Sequence, residues 1–179
     1  ALDSARKVFR SHIESSQGRI IDMAGDSVLA VFETATGAVS AALAIQKEID
    51  RSGEKVPEER RMRFRVGVHL GDVIEKADGT VYGDGVNIAA RLEGLAKPGG
   101  ITVSESIRTA VKGKVGASFE DQGEQKVKNI ADPVRAYGVS PEGSTAAKPA
   151  PASGEIRLSL PDKPSIAVLP FANMSGDPE

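Results

Sequence analysis

Two glycines precede a helical pattern in the stretch Gly83-Asp84-Gly85-Val86-Asn87-Ile88-Ala89-Ala90-Arg91-Leu92. Free backbone N–H groups and the helix dipole at the start of such a helix together favour an anion. Asn87 and Arg91 are four residues apart, so they lie on the same face of the predicted helix. An amide donor beside a guanidinium suits a phosphate that gains charge during a reaction. The stretch therefore predicts a phosphate-binding helix.

A second informative stretch extends from Gly18 to Phe32, where two strand-like runs flank Gly25-Asp26. Glycine accepts a positive φ, so Gly25-Asp26 indicates the tight turn of a β-hairpin. A carboxylate at the tip of a hairpin suits a hard cation, because Mg²⁺ binds one or two carboxylates together with substrate phosphates. Taken alone, Asp26 is more typical of an ordinary turn residue.

Length and composition limit the possible classes of protein. With 179 residues and 40% hydrophobic content, the chain can bury one core of ordinary domain size. A net charge of −2 gives no general attraction to nucleic acid or anionic membrane. The absence of cysteine excludes disulfides, thiolate catalysis and cysteine metal sites. No apolar run approaches the roughly 20 residues of a membrane span, so we expect a cytoplasmic domain.

The hydrophobic pattern predicts a mixed order of elements: helix, two strands, helix, strand or hairpin, helix, strand, helix and strands. Thr34 or Thr36 can cap the second helix. Apolar and polar residues alternate from Arg63 to Leu70, which predicts a half-buried strand with His69 on its polar face. This order fits an α+β sandwich in which helices cover a largely antiparallel sheet.

The hairpin and the Asn-x-Ala-x-Arg helix together resemble class III nucleotidyl cyclases, the adenylate and guanylate cyclase catalytic domain. The resemblance extends over residues 1–139 and includes two further runs, Arg65-Val66-Gly67-Val68-His69-Leu70-Gly71-Asp72 and Lys126-Val127-Lys128-Asn129-Ile130. It implies a ferredoxin-like βαββαβ sandwich whose first strand this chain lacks. It also implies a signalling enzyme that converts ATP, or GTP, to a 3′,5′-cyclic nucleotide and pyrophosphate.

The same resemblance assigns roles to single residues. Asp26 matches one of two aspartates that bind Mg²⁺ or Mn²⁺; the other belongs to the first strand and has no counterpart here. Asn87 matches the amide that orients the ribose, and Arg91 the guanidinium that stabilises charge on the α-phosphate. Lys128 matches a basic residue that contacts the terminal phosphates.

The base-selecting positions depart from the pattern of adenylate cyclases. These enzymes usually have a lysine three residues before the hairpin glycine, where this chain has Asp22. Thr80, three residues before Gly83, occupies the partner position, as it does in one large bacterial subgroup. Because an ionised aspartate only accepts hydrogen bonds, Asp22 suits the amino group of adenine or the N1–H and N2–H donors of guanine.

The family works as a homodimer whose sites are shared between protomers, so we expect a two-fold homodimer here. A catalytically degenerate module that dimerises or senses nucleotides is the alternative. An RNA-binding domain of similar element order would need exposed aromatic residues for base stacking, and the 4% aromatic content opposes it. A diguanylate cyclase would need a Gly-Gly-acid-acid-Phe run, but Ala24-Gly25-Asp26-Ser27 occupies that place.

The end of the chain changes composition twice. Residues 140–164 are rich in Pro, Ala, Ser and Gly without an apolar period, and this pattern predicts a linker. Residues 165–179 contain the apolar run Ile166–Phe171, which predicts a strand. We expect this segment either to open a further domain or to add a strand to the sheet of the cyclase-like domain, because an open sheet edge recruits extended segments.

Overall fold

The computed structural model describes residues 2–128 and 130–142, together with the backbone of residues 167–173. The helices in these ranges are α1 Leu2–Ser15, α2 Ala35–Gly53, α3 Asp84–Leu95 and α4 Glu105–Val111. The strands are β1 Gly18–Ala24, β2 Ser27–Phe32, β3 Phe64–Leu70, β4 Ile74–Glu75, β5 Val81–Tyr82, β6 Ile101–Ser104, β7 Ala117–Gln125, β8 Val134–Pro141 and β9 Ala167–Asn173. None of the described helices is long and apolar enough to cross a bilayer.

One sheet contains seven of these strands in the order β1-β2-β9-β3-β6-β8-β7, and β4 pairs with β5 in a separate arm. β3 and β6 are parallel, whereas the other neighbours in the large sheet are antiparallel. Thr34 caps α2 as expected, because its hydroxyl accepts a 3.0 Å hydrogen bond from the N–H of Gly37. The predicted α+β sandwich is confirmed.

Helices cover both faces of the sheet. On one face, α1, α2 and α4 pack against β2, β3 and β6 in the main core, with Phe9, Ile45, Phe64, Val66 and Ile107 almost fully buried. Successive residues of a strand point to opposite faces, so the residue after Val66 faces the other side. On that second face α3 lies directly against β3 and also contacts β9.

The approach of α3 to β3 depends on Gly67. A Cβ atom at this position would lie 2.2 Å from the carbonyl oxygen of Ala89 and 2.4 Å from the backbone nitrogen of Glu93. These distances are far below van der Waals contact, so no larger residue fits without moving α3. The short approach fixes the height of α3 above the sheet.

The prediction of a half-buried β3 with a polar face is wrong. Gly67 and His69, assigned to that polar face, are buried, and His69 is only 9% exposed. The reason is that α3 covers the face that the alternation left to solvent. Burial lowers the pKa of His69 to about 4, and its Nδ1 atom has no hydrogen-bond partner within the described part of the chain.

The apolar run near the end of the chain forms β9, which lies between β2 and β3 and is antiparallel to both. This is the strand addition expected from the sequence, and the observed strand is Ala167–Asn173 rather than Ile166–Phe171. β8 continues to Pro141, beyond the predicted start of the linker at residue 140. Residues 143–166 and 174–179 lie outside the described residues. The division into a linker and a further domain stays a prediction.

Candidate functional site

The helix α3 holds two of the predicted site residues by burying their neighbours. Ile88 and Leu92 are 7% and 1% exposed and pack into a small cluster with Val127 and Ala136. Asn87 and Arg91 each precede one of these anchors, so they lie together on the adjacent, exposed face of the helix. The packing of α3 therefore presents an amide and a guanidinium side by side.

The segment after β7 brings cations to the same face. Val127 is 9% exposed and contacts the α3 cluster, whereas its neighbours Lys126 and Lys128 are exposed. A cleft of about 560 Å³ separates this segment from α3, and its lining residues are Asn87, Ala90, Arg91, Lys126, Val127 and Lys128. The structure thus places three of the predicted site residues, Asn87, Arg91 and Lys128, around one cleft.

The charge of this cleft favours a polyanion. Three of its lining side chains are cationic and none is acidic. Fixed positive charges with a guanidinium among them suit phosphate groups, which accept several charge-assisted hydrogen bonds. Gly85, in the first turn of α3, has an additional role, because a Cβ atom at this position would lie 2.8 Å from the carbonyl oxygen of Asp72. That contact seats the start of α3 against the end of β3.

Sequence reasoning did not include Lys126 among the site residues. The sequence did contain an indication of its role, the alternating run Lys126-Val127-Lys128. In an extended segment, the two lysines point to the side opposite the apolar residue between them. Once Val127 is known to be buried against α3, both lysines must face the cleft side or solvent. The structure adds Lys126 to the lining of the cleft.

The β1–β2 hairpin presents its acidic residues elsewhere. Asp26 lies in the tip after Gly25, which adopts a φ of 59° as the predicted turn requires. Asp22 is exposed on β1, opposite Leu29 and directly after an irregularity in the strand pairing. Arg6 donates a 2.5 Å hydrogen bond to the carbonyl oxygen of Gly25 and so ties the tip to α1. Neither carboxylate lines the cleft.

Thr80 lies in the turn of the β4–β5 arm and is exposed. Its backbone N–H donates a 2.9 Å hydrogen bond to Oδ1 of Asp78, which lowers the pKa of that carboxyl group. Thr80 does not line the cleft either. Within one protomer, the structure therefore brings together the amide and the cations but not Asp22, Asp26 or Thr80.

The described residues contain no group of three or more His, Cys, Asp or Glu side chains that could hold a metal ion by themselves. Asp26 nevertheless has the chemistry of a single ligand. Its carboxylate is exposed and has no hydrogen-bond or ion-pair partner in the described ranges, and hard cations accept one protein carboxylate completed by substrate phosphates. Asp26 therefore fits a metal site that substrate helps to build.

Comparison with known proteins gives several matches of one kind. The chain is 44% identical over 174 residues to "Putative adenylate cyclase 3" of Rhizobium meliloti (strain 1021), and the match covers 97% of the chain but 29% of that relative. The structure is similar to an adenylate/guanylate cyclase/hydrolase from Silicibacter pomeroyi, with a TM-score of 0.72 and 38% identity over 77% of this chain and 81% of the other.

The guanylate cyclase domain of RhGC from Catenaria anguillulae, solved with GTP, shares the fold with a TM-score of 0.59 at 24% identity, over 79% of this chain and 82% of that one. The family model described as the adenylate and guanylate cyclase catalytic domain matches residues 1–140. Such a match covers every residue around the cleft and both carboxylates of the hairpin. The chain therefore belongs to the adenylate and guanylate cyclase catalytic domain family.

Proposed function

We propose that this domain converts a nucleoside triphosphate to a 3′,5′-cyclic nucleotide and pyrophosphate in the cytoplasm, with ATP as the expected substrate and GTP as the alternative. The observation that carries the proposal is the cleft, which presents one amide and three cations without an opposing carboxylate. The relative at 44% identity, named as an adenylate cyclase, supports the choice of ATP.

We assign each cleft residue a separate role in the reaction. The ribose 3′-oxygen attacks the α-phosphorus, the bond to the pyrophosphate oxygen breaks, and the hydroxyl proton passes to solvent water. The Arg91 guanidinium donates hydrogen bonds to the α-phosphate oxygens as their charge develops, and the Asn87 amide orients the ribose. Lys126 and Lys128 neutralise the terminal phosphates that leave as pyrophosphate.

Members of this family use divalent metal ions, and we expect Mg²⁺ or Mn²⁺ here. Asp26 would supply one carboxylate ligand, and substrate phosphates would supply others. A divalent ion lowers the pKa of the attacking hydroxyl and screens the charge of the leaving group. The contribution of the chain itself is to hold that carboxylate at the tip of a hairpin that Arg6 ties to α1.

A homodimer is the arrangement that completes the site. Asp26, the proposed metal ligand at the tip of the hairpin, lies apart from the cleft of its own protomer. In a two-fold dimer the hairpin of one protomer can face the cleft of its partner, and symmetry then generates two equivalent sites. We therefore expect a single protomer to be inactive.

Asp22 and Thr80 are the proposed base-selecting residues. Both are exposed: Asp22 lies on the β1–β2 hairpin, and Thr80 lies in the turn of the β4–β5 arm. Asp22 accepts hydrogen bonds only, which is compatible with the amino group of adenine and with two donors of guanine. Thr80 both donates and accepts through its hydroxyl group.

A nucleotide-sensing module without turnover is the second candidate. It is favoured by the single exposed carboxylate at the tip of the hairpin, because the described residues provide no cluster of acidic ligands. Such a module would bind a nucleoside triphosphate in the cleft but would release it unchanged.

Turnover measurements separate the two functions. The purified chain is incubated with ATP or GTP and Mg²⁺ or Mn²⁺, and cyclic nucleotide is quantified by chromatography. We expect Arg91→Ala to lower kcat by about 10²–10³-fold with a small change in KM, as for the loss of one transition-state hydrogen-bond donor. Arg10→Ala, which removes an exposed helical arginine of α1 on the opposite face of the sheet, should leave both constants unchanged.

Three other results would count against the proposal. Equal losses in the Arg91 and Arg10 variants would remove Arg91 from the site. A loss confined to KM would assign Arg91 to ground-state binding. Nucleotide binding without any product, in the presence of metal, would favour the sensing module.

A further inference from the structure

The strand β9 connects two parts of the sheet that have no other strand between them. β1 and β2 lie on one side of β9, and β3, β6, β8 and β7 lie on the other. β9 pairs with β2 from Val28↔Phe171 to Phe32↔Ala167, and with β3 from Phe64↔Asn173 to Leu70↔Ala167. In the described sheet, hydrogen bonding between the hairpin and β3 therefore passes through β9.

The sequence of β9 is unfavourable for this central position. Pro170 lies in its middle, and proline lacks the N–H group that a strand with two neighbours needs. For this reason proline in sheets is confined largely to edge strands, first positions and bulges. A central strand with an interior proline is held less tightly than its neighbours.

The pairing shows where the weakness lies. β9 and β3 pair at Val66↔Phe171 and again at His69↔Val168, with no pair at Leu169 or Pro170 between them. The ladder with β2 is continuous through Leu29↔Pro170. On the β3 side, the strand is therefore held by two short stretches separated by a gap.

Two features favour release of β9: its long connection to β8 and the contacts of the hairpin that do not involve it. β8 ends at Pro141 and β9 begins at Ala167, so the residues between them give the strand a long connection. Closing a connection of this length costs conformational entropy, and release of the strand regains it. The hairpin also keeps contacts that do not involve β9, because Val31 packs with Val81 and Ala89 on the α3 side.

We infer that β9 is a displaceable strand whose presence couples the β1–β2 hairpin to β3 and α3. When β9 leaves, the hairpin with Asp22 and Asp26 loses its hydrogen-bonded connection to the side of the sheet that supports Asn87 and Arg91. This inference goes beyond the proposed function, because it concerns the opening of the sheet and holds whether or not the domain turns over a nucleotide.

Thiol labelling tests the inference directly, because the natural chain contains no cysteine. A single cysteine is introduced on β9 as Val168→Cys, and the control is Val103→Cys on β6, a fully buried position away from β9. Both folded variants are treated with a small maleimide in native buffer. If β9 opens locally, Val168→Cys should react at least about ten-fold faster than Val103→Cys.

A second substitution tests whether Pro170 is the cause of the local opening of β9. Pro170→Val restores a backbone N–H donor, so it should slow the labelling of Val168→Cys several-fold and leave that of Val103→Cys unchanged. It should also slow amide hydrogen exchange in β2 of the chain without cysteine, while exchange in β6 stays the same. That exchange measurement decides the question even if Val168→Cys does not fold.

Equal labelling rates for the two cysteines would overturn the inference, as would exchange in β2 that does not respond to Pro170→Val. Neither readout requires nucleotide. A chain that shows the predicted labelling but no cyclic nucleotide would contradict the proposed function alone.

Discussion

The cleft beside α3 and the hairpin between β1 and β2 hold their polar side chains in different ways. In the cleft, each polar residue lies next to a buried anchor: Asn87 beside Ile88, Arg91 beside Leu92, and the lysines on either side of Val127. On the hairpin, Asp26 lies at an exposed tip whose position depends on strand pairing and on a single hydrogen bond from Arg6.

This difference indicates which half of the site is complete in one protomer. Buried neighbours hold the backbone of the cleft residues within one protomer, so the proposed phosphate-binding half needs no second chain. The carboxylate half lies on the hairpin, and it meets a cleft only in the homodimer that we propose.

The largest expected effect comes from substituting Asp26, and it tests whether turnover in the cleft requires the hairpin. Asp26→Asn keeps the shape of the side chain but removes its charge from the proposed metal site. We expect metal-dependent turnover to fall to the rate measured without added metal, while the elution volume of the dimer stays the same. The measurement is cyclic nucleotide formation with Mg²⁺ or Mn²⁺, beside size-exclusion chromatography.

Asp50→Asn provides the matched control, because it neutralises an exposed carboxylate on α2. It should leave turnover unchanged. Normal metal-supported activity in the Asp26 variant would show that the residue serves only the turn, and the cleft would then be sufficient.

A smaller effect should come from the α3 side, where His69 is buried without a partner for Nδ1. Its folded-state pKa is lowered from 6.5 to about 4, so the unfolded chain binds the proton more readily between these values. Stability contributed by neutral His69 is present above pH 6.5 and is lost as the pH falls toward 4. Between pH 7 and pH 4.5 the free energy of unfolding should fall by about 2–3 kcal/mol from this group.

Urea unfolding at the two pH values measures this loss. Other carboxyl groups also titrate in acid, so the relevant quantity is the difference between the unsubstituted chain and His69→Gln. His12→Gln, at the other histidine of the sequence, should keep the part of the pH dependence that comes from buried His69. An identical pH dependence in the His69 variant would mean that the histidine is accommodated in its charged form.

The smallest expected effect concerns the choice of base on the hairpin side. If Asp22 excludes the usual adenine contact, the unsubstituted enzyme should use GTP comparably to ATP. Asp22→Lys should then shift the ratio of kcat/KM values toward ATP by about ten-fold, the worth of one charge-assisted hydrogen bond. Asp50→Lys controls for the reversal of charge. A strong preference for ATP that neither variant changes would place base recognition elsewhere.

The parts of the site that follow from local spacing could be predicted from the sequence. Asn87 and Arg91 share a helix face because they are four residues apart, and Gly25 identifies the turn that carries Asp26. The cleft itself could not be predicted, because it requires Val127 to pack against α3 from a distant part of the chain.

The fold shows the same division between local and distant causes. Element order and the extra strand at the end of the chain followed from apolar periodicity. The burial of His69 did not, because alternation along β3 reports one strand and cannot indicate that α3 covers its second face. Similarly, an apolar run indicates that β9 is a strand, but its register against β2 and β3 is a property of the assembled sheet.

The contact between Gly67 and α3 gives the cleft an unexpected dependence on a residue that lies outside it. A Cβ atom at Gly67 would collide with the backbone at Ala89 and Glu93. Even an alanine at this position would therefore displace α3, the helix that carries Arg91. A displacement of α3 would change the distance from the guanidinium of Arg91 to Lys126 and Lys128 without substituting any of the three residues. The absence of a side chain at Gly67 on β3 thus helps to set the width of the cleft that α3 lines.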